Sequence, residues 1–330
     1  MLRTGALSTA AETAGRRADL PAESHSKSRT NARTAPLLDK ATAAYLGLAI
    51  GDALGATVEF LTPNEIRQQH GVHRELSGGG WLHLQAGRVT DDTTMSLALG
   101  EAILASGGVD AQAVAAALDA WMRSKPVDIG HTVRRNLIHF RDTGNPEAVA
   151  CEHDAGNGAA MRTLPVALAS YGQAAATTIL GSRAQAHVTH HNALSDAACE
   201  TLIFMVQDFL AGHDAGWVRE QHVATLLREQ PLFAFARKRR DNPSGYIVET
   251  MQAVLQAFFA TSSFEECLLE VVNRGGDADT TGAIAGMLAG ARYGLQAIPE
   301  RWLGALDPAI RQHCTRQAAA LLALSQAGAP

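Results

Sequence analysis

The sequence predicts an all-α protein with a single large helical domain. Three observations lead to this prediction. Apolar residues recur at spacings of three and four along most of the chain, which is the period of an amphipathic helix. Alternating apolar and polar positions, the pattern of a half-buried strand, are scarce. The glycine fingerprints G-x-G-x-x-G and G-x-x-x-x-G-K-[ST] of the common nucleotide-binding α/β folds do not occur.

Helical spacing is clear in several successive segments. Their apolar positions are Tyr45, Leu46, Ala49 and Ile50; Met95, Leu99 and Ile103; Leu202, Val206 and Leu210; and Val248, Met251, Val254 and Leu255. A further helix is predicted from about Thr281 to Tyr293, with Gly282, Gly286 and Gly290 four residues apart, and a last one from Pro308 to about Leu324. Glycine lowers helix stability, so the glycine stripe indicates that another helix or a ligand approaches this backbone closely.

A change of composition divides the chain near Pro36. Residues 1–36 are rich in Ala, Thr, Ser and Arg and show no sustained period, so they are predicted to be a disordered N-terminal extension. Residues 37–330 are predicted to form one folded domain, because the candidate functional residues come from both ends of this region.

Composition and charge exclude several classes of protein. The chain is 46% hydrophobic and 18% charged, which fits a folded protein rather than a disordered one. The net charge of −5 argues against a nucleic-acid partner. No apolar run reaches the roughly 18 residues of a membrane-spanning helix, and the N-terminus lacks the apolar stretch of a secretory signal.

The four cysteines are widely separated. They are Cys151, Cys199, Cys267 and Cys314. This spacing favours reduced thiols in the cytoplasm over a disulfide framework, and it excludes a cysteine-based zinc or iron–sulfur site of the usual close spacing.

Two short strings each place two aspartates and neighbouring hydroxyls at a predicted helix start. They are Thr90-Asp91-Asp92-Thr93-Thr94 and Gly275-Gly276-Asp277-Ala278-Asp279-Thr280-Thr281. One interpretation is N-capping, because Asp and Thr accept hydrogen bonds from the first backbone N–H groups of a helix. A helix needs about one such acceptor, however, and adjacent carboxylates repel each other unless a cation lies between them. Carboxylate and hydroxyl oxygens suit hard divalent ions, so the favoured interpretation is a site for two Mg²⁺ or Mn²⁺ ions built from both strings.

A third string consists mainly of small and apolar residues. It is Gly47-Leu48-Ala49-Ile50-Gly51-Asp52-Ala53-Leu54-Gly55, followed by Glu59. Its glycines indicate close packing or a ligand near the backbone, and Glu59 is a further candidate metal ligand. A glycine-rich helix followed by a surface glutamate explains the string equally well.

Six strings in register resemble the ADP-ribosylglycohydrolase family, and together they span residues 47–294. They are G-D-A-L-G with Glu59, T-D-D-T at 90–93, D-I-G-H-T at 128–132, G-N-G-A-A-M-R at 156–162, T-H at 189–190 and N-R-G-G-D-A-D-T-T-G at 273–282. The resemblance implies an orthogonal all-α bundle with two Mn²⁺ or Mg²⁺ ions at the bottom of an ADP-ribose cleft.

The resemblance also implies roles for individual acids. The metal ligands would be Thr90, Asp91, Asp92, Asp277, Asp279 and Thr280. Glu59 matches an acid that contacts the metal centre or the substrate beside it, and it is expected to act in catalysis. Asp128 would otherwise be a turn or a helix cap, but it matches the family's catalytic acid or base.

The glycine-rich strings are expected to bind substrate. Gly130 belongs to the same string as Asp128. Asn157 and Gly158 match a loop that the family uses for ADP-ribose, although the residues alone also fit a simple turn. A helix is expected after Gly158, and its first backbone N–H groups would suit a diphosphate.

Three further side chains are candidates for contact with the substrate. His190 matches a substrate-contacting histidine of the family. From the residues alone, His187, His190 and His191 could together bind a metal ion. More commonly, such histidines lie on the surface or make hydrogen bonds. Tyr246 would stack on the substrate or hydrogen-bond to it, or else be a buried core tyrosine. Glu152 would pair with a guanidinium, or else be a solvated loop acid.

The implied activity is hydrolysis of the bond between ADP-ribose and an arginine of a protein. The string Asn242-Pro243-Ser244-Gly245-Tyr246-Ile247-Val248 is most similar to family members from nitrogen-fixing bacteria. This similarity implies dinitrogenase reductase as the target, with a PII signalling protein and an ammonium transporter as further partners. The expected location is the cytoplasm, with peripheral attachment to the inner membrane under regulation.

Four other functions are compatible with these residues. The enzyme could cleave another ADP-ribosyl linkage, such as that to serine, or give immunity against an ADP-ribosylating toxin. The two-metal site could belong to a phosphoesterase. The protein could also bind ADP-ribose without cleaving it, although such a module has no need of the full carboxylate set.

Overall fold

The computed structural model describes the backbone of residues 24–236 and 238–327, and the side chains of that part from residue 36 onward. The chain divides into two compact units, Met1–Ala35 and Pro36–Pro330. Most of the predicted disordered extension, residues 1–23, lies outside the described residues, and residues 24–36 belong to the first helix. Disorder of the extension therefore stays a prediction.

The all-α prediction is confirmed, because the described residues form fifteen α-helices and no β-strand. The helices are α1 Ser24–Gly55, α2 Pro63–His70, α3 Asp91–Ser106, α4 Ala111–Arg123, α5 His131–Thr143, α6 Leu164–Ala169, α7 Ala175–Ala186, α8 Ala193–Ala211, α9 Ala215–Val218, α10 Ala224–Glu229, α11 Ile247–Ala260, α12 Phe264–Val272, α13 Ala278–Tyr293, α14 Glu300–Ala305 and α15 Pro308–Ala327. The two helices predicted near the C-terminus correspond to α13 and α15. None of the described helices is both long and apolar enough to cross a bilayer.

Helix α13 lies at the centre of the domain. Every residue from its start to Ala291 is buried, and the helix packs against α3, α8, α11 and α12. A helix that is buried on all sides needs apolar or small residues around its whole circumference, which explains its mixture of alanine, glycine and large aliphatic side chains.

The glycines of α13 face the glycines of α1. A Cβ atom on Gly51 would overlap the carbonyl oxygen of Gly282, and a Cβ atom on Gly47 would overlap that of Gly286. Of the two explanations that the sequence left open, close helix packing is therefore the correct one at these positions. Because the pairing runs in opposite directions along the two helices, the C-terminal end of α1 meets the N-terminal end of α13.

The same junction receives the start of α3. Thr90 caps α3 and Asp277 occupies the capping position of α13, and the two helices pack against each other. The sequence places the aspartate pairs at these two starts and Glu59 four residues after α1. The fold therefore brings three acidic segments, far apart in the chain, to one place.

Candidate active site

A cavity of about 710 Å³ opens at this junction. Its walls come from the segment after α1, the starts of α3 and α13, and the loops around residues 128–133, 156–161 and 242–245. The predicted site residues that line it are Glu59, Asp91, Asp92, Asp128, Gly130, Asn157, Gly158, His190, Asp277, Asp279 and Thr280. Most of the predicted site is thus brought together in one cleft.

Three predicted site residues are not among those that line the cleft. Thr90 is fully buried behind it, and its hydroxyl accepts a hydrogen bond from the backbone N–H of Asp92 at 3.4 Å. Glu152 is exposed on the segment that leads into the loop at 156–158. Tyr246 is 39% exposed and its backbone pairs with Gly156, so the alternative of a buried core tyrosine does not hold. The roles given to these three residues stay predictions.

The acids form a tight cluster at the bottom of the cleft. Carboxylate oxygens of Glu59, Asp277 and Asp279 all lie within 4.8 Å of one another. Thr280 donates a hydrogen bond from its hydroxyl to Asp92 Oδ2 at 3.3 Å, which joins the α3 start to the α13 start. The other oxygen of Asp92, Oδ1, is buried and has no hydrogen-bond partner among the described residues. A buried carboxylate oxygen without a donor is costly unless a cation binds it.

Burial makes the ionised form of every acid in the cluster unfavourable. It raises the pKa of Glu59 to about 8 and that of Asp91 to about 7, and the neighbouring carboxylates add to both shifts. It also raises the pKa of Asp277, and it raises those of Asp92 and Asp279 well above the ordinary value. Several carboxylates held together in this way suit hard divalent cations, so the donor set fits Mn²⁺ or Mg²⁺.

Asp52 supports the acid cluster from behind, a role that the sequence did not reveal. Its carboxylate is fully buried and accepts hydrogen bonds from the backbone N–H groups of Thr90 and Thr93, both at about 3.0 to 3.1 Å, and from the Thr93 hydroxyl at 2.5 Å. It therefore fixes the turn that presents Asp91 and Asp92. The signal for this role was present, because Asp52 is a lone acid inside an otherwise apolar helix segment.

Trp81 is a second site residue that sequence reasoning missed. Its indole N–H donates to Glu59 Oε2 at 2.5 Å, and its ring lies 5.4 Å from that of Phe60 between centroids. Both rings line the cleft and remain exposed, by 48% for Trp81 and 62% for Phe60. Nothing local in the sequence around Trp81 pointed to the cleft, because only the fold brings it to Glu59.

The loop at 156–158 packs against His190 and the acid cluster. Residues 158–162 form turns, and the helix that follows Gly158, α6, begins at Leu164. The expectation that its first backbone N–H groups suit a diphosphate stays a prediction. A Cβ atom on Gly156 or Gly158 would lie 2.9 Å and 2.8 Å from the ring of His190. The two glycines therefore make room for this imidazole.

Asn157 donates its amide hydrogens to Asp277 Oδ2 at 2.5 Å and to Thr250 at 2.9 Å, and so connects the loop to the acid cluster.

A buried arginine orients His190. Arg162 donates to Thr189 Oγ1 at 2.8 Å, to the Gly158 carbonyl at 2.9 Å and to Gln185 at 2.9 and 3.0 Å. Thr189 Oγ1 lies 2.8 Å from Nδ1 of His190. Because this oxygen already accepts a hydrogen bond from Arg162, its own O–H donates to Nδ1 of His190. Burial, helped by the positive charge of Arg162, lowers the pKa of His190 to about 3. His190 is therefore neutral and carries its proton on Nε2, beside the glycines of the cleft wall.

Asp128 lines the cleft, three residues before α5 begins at His131. One of its oxygens, Oδ1, accepts a hydrogen bond from the Ile129 backbone N–H at 2.7 Å, which leaves Oδ2 available. The negative charge of Asp128 contributes to the raised pKa values of Glu59, Asp91 and Asp277. Asp128 is therefore close enough to the acid cluster to interact with it electrostatically. A carboxylate in this position can exchange protons with a group bound above the acids.

Comparison with known proteins identifies the relatives of this chain. The ADP-ribosylglycohydrolase family model matches residues 33–330. An ADP-ribosyl-[dinitrogen reductase] glycohydrolase of Rhodospirillum rubrum is 49% identical over 289 residues, which cover 87% of this chain and 97% of that protein. An ADP-ribosylarginine hydrolase, Tri1, of Serratia proteamaculans is 33% identical over 282 residues, which cover 82% of this chain and 75% of that protein. A solved ADP-ribosylglycohydrolase-related protein complex is similar with a TM-score of 0.78 at 35% identity, covering 88% of this chain and 99% of that chain.

Proposed function

The chain belongs to the ADP-ribosylglycohydrolase family, and on this basis we propose that it hydrolyses the bond between ADP-ribose and an arginine side chain of a target protein. The observation that carries the proposal is the cluster of buried carboxylates at the bottom of the cleft. Such a cluster is unfavourable by itself and needs cations, and cations beside a ribose are what a metal-dependent glycohydrolase requires. The cavity of about 710 Å³ is within the range of a site for a ligand as large as ADP-ribose.

The proposed cofactor is a pair of divalent ions, Mn²⁺ or Mg²⁺. The residues that would hold them are Asp91, Asp92, Asp277, Asp279 and Thr280, with Glu59 beside them and Thr90 as a further predicted ligand. When bound, the ions would neutralise the carboxylates and provide a Lewis acid for the ribose oxygens and a nearby water.

The protein residues supply binding and proton transfer. Water adds to C1 of the ribose while the bond from C1 to the guanidino nitrogen breaks, so one proton leaves the water and one reaches the departing nitrogen. Asp128 would accept the first of these protons and return one to the leaving group. His190, fixed as a neutral N–H donor by Thr189, would donate a hydrogen bond to the substrate, and Glu59, which accepts a hydrogen bond from Trp81, would stabilise the reacting sugar.

The proposed target is dinitrogenase reductase. Support comes from the 49% identical relative, whose name gives this target, and from the string at 242–248, of which residues 242–245 line the cleft. The finer part of the proposal is that a PII signalling protein and an ammonium transporter regulate the enzyme and bring it to the inner membrane. That part is supported only by the resemblance of the sequence to members from nitrogen-fixing bacteria.

The proposed function is tested by measuring which ADP-ribosyl linkage the protein cleaves. We expect the protein with Mn²⁺ to release free ADP-ribose from a peptide modified on arginine, and to act far more slowly on the same peptide modified on serine. Chromatography of the products distinguishes ADP-ribose from AMP and phosphate. Release of AMP or phosphate would identify a phosphoesterase instead, and tight binding of ADP-ribose without any turnover would identify a binding module.

A further inference from the structure

Two exposed aromatic rings form the wall of the cleft next to Glu59. Phe60 and Trp81 both line the cavity, and their ring centroids are 5.4 Å apart with an interplanar angle of 49°. They are 62% and 48% exposed, whereas Trp302 is fully buried in the core. Contact of large apolar rings with water is unfavourable, and a pair of them inside a cleft marks a surface that a ligand can cover.

The backbone of Phe60 is strained, with φ at 63°. A bulky residue in the left-handed region is an outlier that persists only where its surroundings hold it. Here the Phe60 N–H donates to the Gly276 carbonyl at 2.7 Å, and the Gly276 N–H donates to the Leu61 carbonyl at 3.0 Å. Glycine would adopt this conformation without strain, but it would supply no ring. Neither the backbone nor burial in the core favours the Phe60 ring, which points to a role in the cleft.

The chemistry of this wall suits a planar cation. The indole N–H of Trp81 already donates to Glu59 at 2.5 Å, and the Phe60 side chain has no polar atom. What the pair offers to a ligand is therefore the electron-rich faces of its rings, beside an acidic side chain. Guanidinium is planar, carries a positive charge, stacks on aromatic faces and pairs with carboxylates, so it matches both features.

The place of the pair in the cleft favours the target arginine over adenine as its ligand. Adenine also stacks on aromatic rings, but in ADP-ribose it lies beyond two phosphates and a second ribose from the bond that is cleaved. A guanidino nitrogen, by contrast, is bonded directly to C1 of the reacting ribose. Phe60 directly follows Glu59, which belongs to the acid cluster below that ribose. The two rings are therefore closer to the guanidino end of the substrate than to its adenine end.

We propose that Phe60 and Trp81 form the subsite for the target arginine and bind its guanidinium through cation–π contact. This inference rests on the proposed hydrolysis of ADP-ribosylarginine and adds the residues that select the linkage. A serine linkage places only a neutral oxygen at the same position, so it gains no such contact from the rings. The two rings therefore make the arginine-linked substrate the better one, by an interaction that free ADP-ribose does not make.

Substitution of Phe60 separates the arginine subsite from the binding of ADP-ribose. Phe60→Leu keeps an apolar side chain without an aromatic face, and Phe60→Gly removes the side chain and relieves the strain, so its Tm should not fall. We expect each variant to lower kcat/KM for a peptide modified on arginine by roughly five- to thirtyfold. Their Kd for free ADP-ribose with Mn²⁺ and their kcat/KM for the serine-modified peptide should stay unchanged. Phe60→Tyr retains a ring and should keep the wild-type values.

The matched control is Lys125→Gly. Lys125 is likewise exposed with a positive φ, 60°, but it does not line the cleft, so the kinetics should stay those of the wild type. A matching loss of ADP-ribose affinity in the Phe60 variants would assign the rings to adenine, and unchanged kcat/KM for the arginine-modified peptide would show that the rings bind neither group. Either result overturns the proposal. A wild-type protein that binds ADP-ribose but releases none from that peptide would refute the proposed function, and this subsite with it.

Discussion

Replacing Asp279 with asparagine is expected to abolish turnover and, at the same time, to raise the thermal stability of the metal-free protein. Asparagine has nearly the same shape as aspartate but no charge. Loss of one anionic ligand should lower the rate of ADP-ribose release by more than roughly a hundredfold. The same change removes a carboxylate that is 2% exposed and surrounded by other carboxylates, which is unfavourable in the absence of cations.

The gain in stability is expected to depend on pH. Burial, together with the nearby charges of Glu59, Asp92 and Asp277, raises the pKa of Asp279 well above its ordinary value. The folded protein therefore holds this proton more tightly than the unfolded chain, which releases it near about pH 4. Any stability that comes from the protonated acids is fully present below that pH. It is lost as the pH rises through about 7 for Asp91 and about 8 for Glu59. The benefit of Asp279→Asn should thus be small near pH 4 and large at pH 8, on the order of several °C in Tm.

Thermal unfolding in EDTA and in Mn²⁺, at pH 5 and pH 8, measures this effect. Asp142→Asn, at an exposed position of α5, is the control for the change in net charge and should shift Tm little in either buffer. Mn²⁺ should stabilise the wild type strongly and the Asp279→Asn variant weakly. A metal-free Asp279→Asn protein that is less stable than the metal-free wild type at pH 8 would contradict the description of the cluster as a cation site.

Gly51→Ala is expected to have the second large effect, through the packing of α1 on α13. The added Cβ atom would overlap the Gly282 carbonyl, and a backbone oxygen inside two packed helices cannot move aside by a rotamer change. Overpacking of this kind costs about 1–3 kcal/mol in the free energy of unfolding, and occasionally more. If the helices separate, Asp52 and Glu59 move relative to Asp279. A displacement near 1 Å lowers catalytic rates by roughly a hundredfold.

Urea unfolding and the rate of ADP-ribose release test this prediction in one preparation. Gly304→Ala is the matched control, because this glycine lies in α14 and a Cβ atom there would meet nothing within 4 Å. That substitution should leave the rate unchanged and raise the free energy of unfolding by roughly 0.5–1 kcal/mol, as expected for replacing a helical glycine. A Gly51→Ala protein with wild-type stability and rate would show that the two helices do not need this close contact.

The helical architecture could be predicted because its determinants are local. Spacings of three and four residues identified α3, α8 and α11, and the apolar pattern with its small residues identified α13 and α15. What the residues alone could not provide was the partner of the glycine stripe. Glycines spaced by four residues show that something approaches closely, but they do not distinguish a helix from a ligand, and only the packed structure shows that α1 is the partner.

The acid cluster could be located for a different physical reason. A helix start needs about one capping acceptor, and close carboxylates repel each other unless a cation lies between them, so the strings at 90–94 and 275–281 were informative by themselves. The supporting residues were harder to find, because their roles depend on contacts between distant segments. Asp52 bonds to residues 38 and 41 positions away, and Trp81 reaches Glu59 across 22 positions.

The loop at 156–158 shows that a location can be predicted from the sequence while the neighbour that requires its glycines cannot. The string G-N-G was expected to lie against the substrate, and it does line the cleft. The helix expected after Gly158 begins at Leu164, and both glycines are needed to accommodate His190. A glycine indicates that space is limited at that position, but the sequence does not show whether a ligand or a neighbouring side chain fills it.

The most direct test of the central claim uses dinitrogenase reductase modified with ADP-ribose on arginine. The quantity to measure is the rate of ADP-ribose release by the wild-type protein with Mn²⁺, after removal of divalent ions with EDTA, and after Mn²⁺ is restored. We expect release with Mn²⁺, a loss of at least roughly a hundredfold in EDTA, and full recovery when the ion returns. Release that continues unchanged in EDTA, or no release under any of the three conditions, would contradict a metal-dependent ADP-ribosylarginine hydrolase built on these carboxylates.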